Sequence, residues 1–134
     1  MIIAIGKDSL RDEIYDEDSL IRRSVYKRLE VILFSMPKGQ FICLGKYKNG
    51  ISMDFCEICA RINALNEVVV PYEDNDNSWP APVKKKFKDI LKKSKHIKLL
   101  SRGSFNPKKL RDMESYIDLS SDIIINIELS LIHI

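Results

Sequence analysis

The chain has 134 residues, 45% of them hydrophobic and 31% charged, with a net charge of +3. That size favours one domain with a real core. No run of 18 apolar residues exists, which excludes a membrane span. The apolar start "MIIAI" has no basic region before it and does not read as a secretory signal. Three cysteines are too few for a disulfide scaffold, so a reducing, cytoplasmic setting is expected. The charge is unevenly spread. Residues 8–18 carry six acids against Arg11, whereas residues 84–111 carry ten lysines and two arginines against Asp89. Such a basic block suits either phosphate-bearing partners or a solvated helix face.

In chain order, "MIIAI" reads as a buried strand closed by a loop at Gly6–Lys7. Asp18 or Ser19 caps a helix in which Leu20, Val25, Leu29, Ile32 and Leu33 recur at helical spacing, ended by Pro37 and Gly39. "QFICLG" is a second strand, followed by a loop over 45–50 and a helix "SMDFCEICARINAL". "EVVVPY" is a third strand, and "EDNDNSWPAP" a polar loop. "APVKKKFKDILKKS" is a helix with Pro82 in its first turn and a stripe of Val83, Phe87, Ile90 and Leu91. "HIKLLS" is a fourth strand. Pro107 opens a fourth helix, and "DIIINIE" is a fifth strand.

Strands alternating with helices give a single Rossmann-like three-layer α/β domain over 1–128 with a mostly parallel five-stranded sheet. The runs "MIIAI", "FICL", "VVV" and "DIIINI" read as central strands, apolar on both faces. Ligands of such sheets bind beyond the carboxyl ends of the strands. The tail "LSLIHI" (129–134) matches the read-through of a common transposon-based sequencing adapter; a native sixth strand is the other reading.

Several stretches are candidates for chemistry. Gly45 to Gly50 joins a strand to a helix N-terminus, where free N–H groups and the dipole favour an anion. Ser52 is placed to cap that helix and reach a phosphate, and Lys46 and Lys48 add charge. A plain tight turn is the competing reading, because the spacing is neither GxGxxG nor GxxxxGK[ST]. Cys56 and Cys59 form a CxxC about a turn inside the helix, too deep for a redox motif and too poor in partners for zinc, so buried packing is expected. No metal site is expected. Asp54 and Glu57 suit ribose hydroxyls, or Glu57 a nucleophile, or both simply a favourable helix start. Trp79 either stacks on a base or covers the sheet edge.

The order of "GISMDFCE", "VVVPY", "WPAPVKKKFKDILKKS", "SFNPKKL" and "YIDLSSDIIINI" resembles the SLOG superfamily of Rossmann-like nucleotide-binding proteins, and most closely its YpsA-like branch. The resemblance runs nearly to Glu128. It rests on Gly50, Ile51 and Glu57 at the helix start and on Trp79–Pro80 before the basic helix. The PGG-x-GT signature of the phosphoribohydrolase members is missing, which points away from hydrolysis. The resemblance implies binding of a nucleotide or NAD-derived signal, by sensing or by hydrolysis; the small size and the missing signature favour a binder of ADP-ribose or its cyclic form, without turnover and without a cofactor. A virus-encoded copy would sequester an immune signal inside a bacterial host, an anti-defence role. Phosphates are expected near Gly6, Lys7, Gly45 and Gly50, with Ser52 capping and Lys46 also in contact with the ligand. A ribose is expected at Asp54 or Glu57, the base at Tyr72 and Trp79, and closure by Arg102 and Asn106. Gly50→Val is expected to abolish binding and spare the fold. The alternatives are an N-glycosidic hydrolase or deoxyribosyltransferase using Glu57, and a nucleic-acid-binding module using residues 84–111. A homo-oligomer that buries the exposed part of the helix "SLIRRSVYKRLEVILF" is also expected.

Overall fold

A computed structural model describes residues 1–8, 19–37 and 39–127, the side chains of Lys7 and Asp8 excepted. The elements are β1 (Ile2–Asp8), α1 (Leu20–Phe34), β2 (Ile42–Lys46), α2 (Ile51–Arg61), β3 (Leu65–Val70), α3 (Ala81–Leu91), β4 (His96–Leu99), α4 (Pro107–Ser120) and β5 (Ile123–Ile127). The expected tail strand and Asp18 lie outside the described residues.

The five strands form one parallel sheet in the order β4-β3-β2-β1-β5. Handedness explains where the helices sit. From β1 to β4 each step moves the same way, so right-handed crossovers put α1, α2 and α3 on one face. The return from β4 to β5 runs the other way and puts α4 on the opposite face. Packing agrees. Ile3, Ile5 and Cys43 meet Leu29 of α1 and Phe55 of α2, and Val68 meets Met53 and Phe87. Ala4, Leu44 and Val69 meet Met113 and Ile117 of α4.

Helix starts follow local chemistry. The Ser19 hydroxyl accepts from the Arg22 N–H at 3.4 Å. Asn106 accepts from the Lys108 N–H at 2.8 Å, with Pro107 as first helical residue. In α1 the buried stripe is Arg22, Val25, Leu29 and Leu33; Leu20 and Ile32 point to solvent.

Three expectations need correction. Gly6 and Lys7 are not a loop: β1 continues to Asp8. "DIIINI" is not a central strand. It is the edge β5, paired only with β1 among the described strands, and Ile123 and Ile124 are exposed. Cys43 and Cys59 are joined as a disulfide, Cα–Cα 6.5 Å, tying β2 to α2. Cys56 is free and buried, and burial pushes its thiol up to about 12.

Candidate functional site

The glycine loop and the start of α2 are closed structures. Gly45 lies in β2, and a Cβ built on it would stand 2.4 Å from the Cys56 sulfur, so this glycine permits close strand–helix packing. Gly50 is the N-cap of α2 at φ 95° and ψ −135°, a conformation essentially reserved for glycine. Gly50→Val therefore strains the fold rather than sparing it. Ser52 does not cap; no side chain caps α2, and Ser52 is buried within its first turn.

Asp54 is buried and engaged. Arg22 Nε donates to Oδ2 and Nη2 to Oδ1, both at 2.9 Å, and Nη2 also reaches the Gly50 carbonyl at 3.4 Å. The forked pair clamps the N-terminal turns of α1 and α2 together. Burial raises the Asp54 carboxyl above its ordinary value, while Arg22 pulls it back. Glu57 is half-buried between helices: Oε1 accepts from the Tyr26 hydroxyl at 3.3 Å, and Oε2 stands 3.3 Å from Lys86 Nζ.

The aromatic candidates are also packed. Trp79 stacks at 5.8 Å and 19° on Phe87 and lies 4.8 Å from Tyr47. Tyr72 is buried with its edge on Phe105 at 5.9 Å. The Tyr47 hydroxyl donates to Asp76 at 2.8 Å; burial, and after it this carboxylate, raises the Tyr47 pKa. Asn75 donates to the Tyr47 carbonyl. Loop 71–80 is thus sewn onto the end of β2. Asn106 serves as the α4 cap. Arg102 is exposed, and its carbonyl accepts from Lys109 at 2.9 Å.

Among the described residues, a wider cleft opens on the other face. Gly6, Lys46, Lys48, Glu114, Asp118, Ile124 and Asn126 line a cleft of about 660 Å³ beside α4. It exists because a single helix covers this side of the sheet and leaves β5 bare. It lies where the strand order reverses at β1, with β2 on one side and β5 on the other. A Cβ on Gly6 would come within 2.4 Å of Asn126 Oδ1 and Ile124 Cγ2, so glycine lets β5 side chains lean over β1. The Lys46 side chain is only 3% exposed, and Glu114 beside it is 43% exposed. Lys46 Nζ donates to the Gly6 carbonyl at 3.1 Å and to Glu114 Oε1 and Oε2 at 3.1 and 2.9 Å. These three contacts use all three donors of the ammonium. Lys48 is exposed at the rim, without an ion pair among the described residues.

Of the expected residues, the structure brings Gly6 and Lys46 together in this cleft. Lys7 lies in β1, its side chain outside the described residues. Gly45, Gly50, Ser52, Asp54, Glu57, Tyr72, Trp79, Arg102 and Asn106 do not line it. Glu114 and Asn126 were missed. Asp118 was legible only as a residue near the last strand, although its spacing from Glu114 puts both acids on one helix face.

The basic block does not form one strip, since α3 and α4 lie on opposite faces of the sheet. Lys84, Lys86 and Lys92 pair with Asp76, Glu57 and Asp89 at 3.6, 3.3 and 3.5 Å, and Lys98 sits 4.9 Å over the Tyr116 ring. Among the described residues no group of three or more His, Cys, Asp or Glu is placed to hold a metal, and no helix is long and apolar enough to cross a membrane. Compared with known proteins, the chain matches no family model and no curated protein.

Proposed function

We propose that the chain binds a small phosphate-bearing nucleotide derivative in the cleft beside α4, without turning it over, as a domain similar to the SLOG superfamily. The observation that carries this reading is the cleft's position. It opens at the strand-order reversal of an all-parallel sheet, with an exposed cation, Lys48, at its rim. Its volume suits a ligand of nucleotide size. A role in sensing or sequestering an ADP-ribose-like signal rests on the sequence resemblance.

Thermal unfolding with a panel of AMP, NAD, ADP-ribose, cyclic ADP-ribose isomers, cyclic dinucleotides and short single-stranded DNA tests the reading. A ligand at about 100 times its dissociation constant adds roughly 2.7 kcal/mol of stability. The expected result is a shift with a nucleotide that is recovered intact. A shift with DNA alone, lost in high salt, would move the site to the lysines. Recovered free base, abolished in Glu57→Gln, would favour the glycosidic enzyme. Absence of any shift would overturn the reading. Exposed Leu20, Val31 and Phe34 on α1 support pairing with a second copy; sedimentation as a monomer would refute that pairing.

A further inference from the structure

The role of Lys46 runs opposite to the sequence expectation. Lys46 was expected to lend its charge to the ligand, yet its ammonium is buried and its three donors are consumed by the Gly6 carbonyl and both Glu114 oxygens. What Lys46 does is fix a carboxylate. Glu114 is held at both oxygens from one side and remains open to the cleft on the other. Each carboxylate oxygen accepts more than one hydrogen bond, so acceptor capacity remains on the open side.

The cleft is therefore divided by charge. On the α4 wall, Glu114 and Asp118 offer acceptors and repel phosphate. At the rim, Lys48 offers the donor for an anion. Asn126, leaning over Gly6, has both an acceptor and donors. A ligand that fills this cleft presents hydroxyl donors to α4 and its phosphate to Lys48. A vicinal diol has two donors at a spacing that the two oxygens of one carboxylate accept together.

We propose that Glu114, held in place by Lys46 as a positioning residue, reads the ribose diol of the ligand; this rests on the nucleotide reading above. The inference puts ribose recognition on α4, and takes it away from Asp54 and Glu57 on the opposite side of the sheet.

The test is calorimetric titration of the full chain with AMP and ADP-ribose, each against its 2′-deoxy analogue. A hydrogen bond to a charged acceptor is expected to give the ribo forms about tenfold tighter binding or more. Glu114→Gln is half-exposed and should fold; it is expected to bring the ribo and deoxy forms to equal affinity. Lys46→Met should also lose the preference, although it leaves Glu114 in the chain. A residue that merely supported the fold would lower both affinities and keep their ratio. If the ribo and deoxy forms bind wild type equally, or the preference survives in Glu114→Gln, this inference is overturned while nucleotide binding stands. If neither AMP nor ADP-ribose binds, nor any other member of the panel, the nucleotide reading fails and takes this one with it.

Discussion

The two faces of the sheet treat charge in different ways. Under α1, α2 and α3, ionised groups close on one another: Arg22 forks onto Asp54, and Glu57 lies between Tyr26 and Lys86. Under α4, the Lys46–Glu114 pair is sealed at the lysine and open at the glutamate. The difference comes from coverage. Three helices cover the sheet closely on their side, leaving smaller cavities at the ends and outer surface of α1, and one helix cannot cover five strands. Carboxylates near a helix N-terminus thus look alike in sequence, yet here they clamp helices together, and those facing the cleft, Glu114 and Asp118, come from the middle and last turns of α4.

The largest expected effect breaks the closed face. Arg22→Met leaves Asp54 buried without its forked partner and should cost about 3–5 kcal/mol in urea unfolding. The loss should depend on pH. With Arg22 gone, burial and the Glu57 charge raise Asp54 against Lys86 only, and its folded-state pKa lies further above the unfolded value near 3.9. A carboxyl shifted that way contributes stability that is full below the unfolded value and lost as pH rises through the folded one. The variant's deficit should be small near about pH 4 and grow toward neutrality. A deficit that is flat with pH would mean that Asp54 is not the group left stranded.

Next comes close packing. Gly45→Ala drives a Cβ to 2.4 Å from the Cys56 sulfur and should cost about 1–3 kcal/mol. Adding Cys56→Ala should recover part of that loss, a coupling that a double-mutant cycle reads directly. No coupling would show that Gly45 serves the loop rather than the strand–helix contact. The smallest effect sharpens the contrast between the faces. Glu57 is partly exposed, so Glu57→Gln should change stability by less than about 1 kcal/mol. It should leave nucleotide affinity unchanged; weakened binding would return the site to α2.

Much of the fold was legible because its signals are local. The apolar runs of β1, β2 and β3, the Ser19 cap and Pro107 each act within a few residues. The site was less legible because it joins distant segments. Lys46 and Glu114 are 68 positions apart, and Arg22 and Asp54 are 32 apart. Gly45 and Gly50 read as one loop, although the first serves packing and the second a positive φ. The edge position of β5 was hidden by its composition: "IIINI" has the apolarity of a central strand. Cys43 and Cys59 meet only through the packing of α2 on β2.

The most direct test of the open cleft is to follow backbone amide resonances during titration with ADP-ribose. The account predicts that the perturbed amides gather at Gly6, Lys46, Lys48 and Asn126, along the α4 side of the sheet. Perturbations centred on Gly50 to Glu57, with the cleft unmoved, would contradict it.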